Sequence, residues 1–126
     1  MKTNDIDVHM DKKVLNDLNK CVADNNDGEF RVTKKLLVNM GLMFLINDLS
    51  TIEIKAQIKE YPKAIDRKRI AFRMNNQRLT EQINAIATRN EKHILIEIAL
   101  NRLFKKMEIK PINELMSDYL LIGGVL

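Results

Sequence analysis

The sequence predicts a mainly α-helical protein that contains a two-stranded antiparallel ribbon and repeats one strand–helix–helix unit twice. Three observations predict this fold class. The 126 residues include only four Gly and two Pro, too few turn residues for a β-sandwich or a barrel. Two short segments alternate strictly between polar and apolar residues, as half-buried strands do. Each of these segments precedes one amphipathic and one almost wholly apolar segment of helical periodicity.

The first unit, residues 1–50, begins with a strand. Asp5-Ile6-Asp7-Val8-His9-Met10 alternates, which places Ile6, Val8 and Met10 on one face. The apolar stripe of the next helix consists of Val14, Leu15, Leu18, Cys21 and Val22. Asn25-Asn26-Asp27-Gly28 predicts a turn, and Thr33 is a suitable N-cap for a second helix. Residues 36–46 of that helix are apolar on nearly every side, so they must be buried on nearly every side.

The second unit, residues 67–110, repeats this order. In residues 69–74 one face carries Ile70, Phe72 and Met74, and the other carries Arg69, Ala71 and Arg73. The stripe of the following helix consists of Leu79, Ile83, Ile86 and Ala87. Asn90 is the predicted N-cap of a second helix that is apolar on nearly every side and ends before Pro111.

Two further segments complete the chain. The connector, residues 51–66, contains enough apolar residues to predict a partly helical segment packed against the core. The tail, residues 111–126, predicts an amphipathic helix that ends at Gly123-Gly124 and whose stripe either folds onto the core or joins two chains. The stripe consists of Ile112, Leu115, Met116, Tyr119 and Leu120. We expect the two units to form one compact domain.

The two units align with each other. Ile6 corresponds to Ile70, 64 residues further on, and Val38 corresponds to Ile96, 58 residues further on. The six additional residues of the first unit fit in its turn near Gly28. Neither unit alone can bury its second helix or pair its strand. We therefore expect the strands to form a ribbon and the second helices to pack together.

The charges on the strands favour pairing within one chain. A ribbon centred on Asp7 and Ala71 places Asp5 opposite Arg73, and His9 opposite Arg69. Pairing either strand with its own copy in a second chain would oppose like charges, which destabilises a ribbon. Pairing between chains nevertheless remains an open alternative, because exposed ion pairs contribute little.

The charge is concentrated in the second half. The whole chain has a net charge of +4. Residues 67–110 contain 11 Lys or Arg and four Asp or Glu, whereas residues 1–66 contain 10 and 11. A strongly basic segment is typical of proteins that bind nucleic acids. On charge alone, a solvated basic face explains it equally well.

The pattern resembles the ribbon-helix-helix superfamily, the Arc- and MetJ-like proteins that read DNA with a β-ribbon. The residues that carry the resemblance are 69–74, Leu79, Ile83, Ile86, Ala87 and 96–100 in the second unit, and 6–10, Gly28 and 33–38 in the first. Two copies in one chain also resemble the TraY-type relaxosome accessory proteins of conjugative plasmids. The resemblance covers about residues 5–46 and 68–108 and implies a tandem ribbon-helix-helix fold.

The resemblance also implies a DNA-binding site. The implied base contacts are Arg69, Ala71 and Arg73, with Asp5, Asp7 and His9 at the corresponding positions of the first strand. The implied phosphate contacts are Thr33, Lys34, Asn90, Lys92, Arg67 and Lys68. Asp5 and Asp7 depart from the pattern because carboxylates repel phosphates, although they can accept a hydrogen bond from cytosine N4. They indicate that the first unit is partly structural, and Gly41, which aligns with Ala99, is expected where helices cross closely.

Other kinds of site are not expected. A single cysteine, Cys21, excludes a disulfide framework or a cysteine-based zinc site and predicts a core thiol. His9 and His93 lie far apart, and no catalytic motif such as GxxxxGK, GxSxG or HExxH is present, so we expect no metal, cofactor or enzymatic activity.

The start of the chain lacks an apolar signal region, and the longest apolar stretch is too short to span a bilayer. These features predict a cytoplasmic protein.

The sequence therefore predicts a sequence-specific double-stranded DNA-binding protein. The resemblance implies a regulator of plasmid transfer or maintenance or a relaxosome accessory protein, with a relaxase or another plasmid protein as a partner and self-association on adjacent sites. Two alternatives remain open: a partition protein or antitoxin-like repressor, and a helical protein–protein adaptor that has lost DNA binding. DNA retention that falls steeply with salt would distinguish a DNA-binding protein from the adaptor.

Overall fold

The computed structural model describes residues 5–26, 31–74 and 76–125, and these ranges are mainly α-helical. The elements in chain order are β1 (Asp5–Asp11), α1 (Lys12–Asp24), α2 (Lys34–Asp48), α3 (Thr51–Glu60), β2 (Arg67–Arg73), α4 (Gln77–Ile86), α5 (Lys92–Ile109) and α6 (Ile112–Leu121). The predicted helical class, two-stranded ribbon and additional C-terminal helix are confirmed. Each strand has seven residues, one more than its alternating pattern, and β2 begins two residues before its pattern and ends one residue before Met74.

The ribbon forms within the chain. β1 and β2 pair antiparallel, with Asp7 opposite Ala71, Asp5 opposite Arg73 and His9 opposite Arg69. This is the predicted register. The inward-facing side chains Ile6, Val8, Met10 and Ile70 are buried, and Phe72 is half-buried. The pairing satisfies backbone groups that a lone strand would leave without partners.

Helices α2 and α5 pack against each other in the centre of the protein. Nine of the 15 residues of α2 are buried, and so is most of the first half of α5. This accounts for their all-round apolar sequences, since a helix buried on every side has no polar face. Each large aliphatic side chain buried here contributes about 1.5–3 kcal/mol relative to exposure.

Helices α1 and α4 bury one stripe each, as predicted. Asp11 caps α1 by accepting a hydrogen bond from the amide of Lys13 at 3.0 Å, and Asn76 caps α4 by accepting one from the amide of Leu79 at 3.1 Å.

Cys21 lies at the edge of the core, half-buried, with its Sγ 3.5 Å from Sδ of Met107. Burial and the nearby Asp24 charge raise the pKa of this thiol, so it remains protonated at neutral pH.

The connector and the tail both pack on the core. A capping box between Ser50 and Glu53 starts α3, whose Ile54 and Ile58 are buried. The α6 stripe folds onto the core through Leu115, Met116 and Tyr119, as one of the two alternatives predicted. Leu120 is 46% exposed, so its assignment to the buried stripe is wrong. After α6 the chain turns back at Gly123, which has a φ of +100°.

Two turn predictions have different outcomes. The prediction that Asn90 caps α5 is wrong, because Asn90 lies in an exposed turn and the cap position falls on Glu91. The Glu91 carboxylate instead accepts a hydrogen bond from the amide of Thr88 at 3.0 Å, which closes that turn. Asn25 and Asn26 form a turn after α1, whereas Asp27 and Gly28 lie outside the described residues.

No single helix in the described ranges is long and apolar enough to cross a membrane. Together α2 and α3 have sufficient length and apolar composition, but they are bent by 118° at the break between them.

Candidate nucleic-acid interface

The outer face of the ribbon is exposed to solvent. Side chains alternate across a strand, so burial of the inner face leaves the opposite set exposed. This set consists of Asp5, Asp7 and His9 from β1 and Arg67, Arg69, Ala71 and Arg73 from β2. All six predicted base-contacting residues therefore share one exposed face. We call it the ribbon face.

Asp7 and Arg69 form a bidentate ion pair on the ribbon face. Nε and Nη2 of Arg69 donate to Oδ1 and Oδ2 of Asp7 at 2.7 and 2.8 Å. The pair is diagonal, because His9 is the residue directly opposite Arg69. The hydrogen bonds from Arg69 hold the pKa of Asp7 below its usual range, and the same bonds raise the pKa of Arg69.

Arg73 is held more loosely. Its Nε donates a single hydrogen bond to Oδ1 of Asp5 at 3.4 Å, and its side chain is 79% exposed. Ala71 lies between the two arginines on the same face. The two aspartates thus contact Arg69 and Arg73 and offset their charges, whereas Arg67 adds a third positive charge to the ribbon face.

A depression of about 550 Å³ adjoins the ribbon at the start of α5. It brings Asp7, His9, Arg67 and Asn90, four of the predicted DNA-contacting residues, together on one surface. Lys63, Arg89 and His93 also line it. Burial lowers the pKa of His93, and the charge of Arg67 lowers it further. The depression is therefore a place where cationic groups from three segments converge.

The other predicted phosphate-contacting residues lie elsewhere. The Thr33 hydroxyl caps α2 by accepting a hydrogen bond from the amide of Leu36 at 3.1 Å, and Lys34 is exposed beside it. Lys92 is half-buried at the start of α5, and Lys68 lies opposite Met10 near the end of the ribbon. None of these four residues lines the depression.

Sequence reasoning missed Lys63 and Arg89 as members of this surface. Lys63 lies in the loop before β2, and Arg89 lies in the turn before α5. Arg89 directly precedes the predicted contact Asn90, and Lys63 lies four residues before the predicted contact Arg67. Their nearness in sequence to predicted contact residues is the signal that could have identified them.

A buried polar network fixes the ribbon to α5. Glu97 is 1% exposed. Its Oε2 accepts a hydrogen bond from the amide of Asp11 at 3.2 Å, and its Oε1 accepts one from the Tyr61 hydroxyl at 3.0 Å. Asn101 donates to the same hydroxyl at 3.3 Å. Glu97 thereby connects the ends of β1 and α3 to the central helix.

Burial governs the ionisation of this network. It raises the pKa of Glu97, although the hydrogen bonds from Asp11 and Tyr61 act in the opposite direction. Burial, together with the nearby Glu97 carboxylate, raises the pKa of Tyr61 to about 12. The sequence signal for this site was one carboxylate inside an otherwise apolar stretch, residues 94–100.

The described residues contain no group of three or more His, Cys, Asp or Glu placed to hold a metal ion. Comparison of the chain with protein-family models, curated proteins and solved structures finds no match.

Proposed function

We propose that the chain is a sequence-specific double-stranded DNA-binding protein that inserts its ribbon face into the major groove. The observation that carries this proposal is a two-stranded ribbon whose outer face exposes Arg69 and Arg73 while its inner face is anchored to the core. Paired strands lie about 4.8 Å apart, and the major groove is about 12 Å wide. Arginine is also the side chain best suited to the O6 and N7 acceptors of guanine.

We further propose that the two strand–helix–helix units form a tandem ribbon-helix-helix fold with an internal pseudo-two-fold axis. Two contacts support this arrangement. Asp7 lies opposite Ala71, its counterpart in the alignment of the strands. Gly41 meets Ala99, its counterpart in the alignment of the second helices. Contacts between equivalent positions are expected along a two-fold axis.

The electrostatics of the depression support binding to the DNA backbone. Lys63, Arg67 and Arg89 provide three positive charges beside the ribbon, against the two carboxylates of Asp7 and Glu91 that line the same depression. The start of α5 adds backbone N–H groups and the positive end of a helix dipole. Such contacts orient a protein on the duplex without reading its sequence.

The biological role that we propose is regulation of plasmid transfer or maintenance in the cytoplasm, or service as a relaxosome accessory protein. This role rests on the two-copy arrangement. It includes a relaxase or another plasmid protein as a partner and self-association on adjacent sites. A partition protein or an antitoxin-like repressor would use the same surface.

A helical protein–protein adaptor is the second candidate function. One specific observation favours it: Arg69 and Arg73, two of the three arginines of the ribbon face, are engaged by aspartates. An adaptor would not show salt-dependent affinity for DNA.

The test of DNA binding compares two double variants at several salt concentrations. Duplexes are first selected from a random library with the wild-type protein, and their affinities are then measured by fluorescence anisotropy. We expect the affinity to fall steeply with salt. Arg69→Ala/Arg73→Ala should lose about tenfold or more on selected duplexes, since the loss of even one bidentate contact with a base costs about 1–3 kcal/mol.

The control variant, Lys20→Ala/Lys105→Ala, also removes two positive charges. Lys105 is exposed on the C-terminal half of α5, and Lys20 is exposed on α1 beside that half. Both lie far from the start of α5 at the depression. This variant should bind almost as the wild type does. Failure of the wild-type protein to bind duplex DNA, or equal losses in the two folded variants, would rule out the proposed function.

A further inference from the structure

We propose that Asp7 is a positioning residue that makes Arg69, and not Arg73, the guanine-reading arginine of the ribbon face. This inference rests on the proposed function. It assigns unequal roles to two arginines that alternate on the same strand and that the sequence does not distinguish.

The hydrogen bonds of Arg69 leave the correct edge of its guanidinium group available. An arginine has five N–H donors in a planar fork. Asp7 engages the side edge, formed by Nε and one N–H of Nη2. The end edge, one N–H on each of Nη1 and Nη2, has no partner among the described residues. These two parallel donors match O6 and N7 of guanine.

The bidentate pair also orders Arg69 before DNA arrives. Two short bonds, at 2.7 and 2.8 Å, fix both the position and the plane of the guanidinium group. The side chain nevertheless remains 62% exposed, so the end edge is accessible to a base. A group that is already oriented loses less conformational freedom on binding.

The guanidinium group of Arg73 is less well ordered. Its single 3.4 Å contact with Asp5 leaves the guanidinium plane free to rotate, and it lies at the last position of β2. A loosely held arginine at the end of the ribbon suits a phosphate contact, which needs charge more than orientation. The recognised sequence is therefore asymmetric, with one arginine-read guanine near the centre of the site.

Asp7 has opposite effects on affinity and on specificity. Its negative charge repels phosphates, so it weakens binding to every sequence. By orienting Arg69 it strengthens binding to a guanine at one position. Loss of Asp7 should therefore strengthen binding to every sequence and weaken the preference for guanine at one position. Loss of Asp5 should strengthen binding to every sequence and leave that preference unchanged.

The experiment compares Asp7→Asn with the charge-matched Asp5→Asn. Each protein is titrated with the duplex preferred by the wild type, with duplexes in which each G·C pair is replaced in turn, and with an unrelated duplex. We expect both variants to bind the unrelated duplex more tightly. Asp7→Asn should lose about tenfold of its discrimination at one G·C pair, and Asp5→Asn should retain it.

A second variant removes both donor edges of the guanidinium group. Arg69→Lys keeps the charge but provides neither parallel donor pair, so it should lose discrimination at the same G·C pair. If the wild type shows no sequence preference, the proposed function itself fails. If the wild type is specific and folded Asp7→Asn keeps its discrimination at every G·C pair, DNA binding stands and the role assigned to Asp7 is wrong.

Discussion

Gly41 of α2 and Ala99 of α5 meet where the two central helices cross. A β-carbon placed on Gly41 would lie 3.0 Å from the carbonyl oxygen of Ala99 and 3.1 Å from its carbonyl carbon. Backbone atoms at this distance cannot move aside as a flexible side chain does. The absence of a side chain at Gly41 therefore allows the two helices to approach closely at Ala99, where the sequence alignment anticipated it.

This contact predicts the effect of Gly41→Ala. The same substitution at an exposed helix position would stabilise the protein by about 1 kcal/mol. Here it should destabilise by about 1–3 kcal/mol, because the helices must move apart to relieve overpacking. Urea unfolding followed by circular dichroism measures the change, and a variant as stable as the wild type would show that the helices do not cross this closely.

Glu97 predicts a pH dependence of stability. Because burial raises its pKa in the folded state, the folded protein binds this proton more tightly than the unfolded chain does. The resulting stabilisation is fully present below the ordinary pKa of Glu and is lost as the pH rises through the raised value. Glu97→Gln should remove this dependence, as measured by unfolding midpoints between pH 4 and pH 8. A profile unchanged by the substitution would contradict the assignment.

The partners of Glu97 predict a further loss. Glu97→Leu leaves the amide of Asp11 and the hydroxyl of Tyr61 without their acceptor. An unsatisfied buried group costs about 1–3 kcal/mol, so this variant should be clearly less stable than Glu97→Gln at every pH. Chemical unfolding of the two variants side by side makes the comparison, and equal stabilities would show that the hydrogen bonds contribute little.

The ion pair on the ribbon face predicts a specific titration. The hydrogen bonds from Arg69 lower the pKa of Asp7, so the pair contributes stability above the ordinary pKa of Asp and loses it as the pH falls through the lowered value. Carboxyl carbon NMR shifts measure this titration. Arg69→Ala should return the pKa of Asp7 toward its usual range, whereas Arg73→Ala should leave it unchanged. The opposite pattern would mean that Asp7 pairs with Arg73.

The depression beside the ribbon predicts a sequence-independent effect. Arg89→Ala should weaken binding to preferred and unrelated duplexes alike and reduce the salt slope by about one unit, because it removes one phosphate contact. Lys105→Ala serves as the control, since it removes an equal charge on the second half of α5. Salt-dependent binding isotherms provide the comparison. A loss confined to preferred sequences would place Arg89 at a base instead.

Much of the fold could be predicted because its signals are local. The two-residue alternation in β1 and β2 defined the faces of the ribbon, and the opposite charges of the strands gave its register. The all-round apolar sequences of α2 and α5 identified the central helices. A helix that is buried on every side is apolar at nearly every position, and this pattern can be recognised without knowing which residues contact it.

The features that escaped prediction depend on side-chain direction or on distant partners. Arg69 reaches diagonally to Asp7 rather than across to His9, which strand register alone does not determine. Tyr61, the partner of Glu97, lies 36 residues away in sequence. The cap position of α5 falls on Glu91 and not on Asn90, and the Glu91 carboxylate turns back to the amide of Thr88, a side-chain direction that the sequence does not determine.

A crosslinking measurement tests directly whether the ribbon face enters the major groove. Ala71 lies exposed at the centre of the ribbon face, opposite Asp7. Ala71→Cys and the control Lys105→Cys are prepared in a Cys21→Ala background, labelled with a photoactivatable group and irradiated on a preferred duplex. We expect efficient crosslinking from residue 71 to bases at the centre of the site, and little from residue 105. Crosslinking that is absent from residue 71, or stronger from residue 105, would show that the ribbon does not enter the groove.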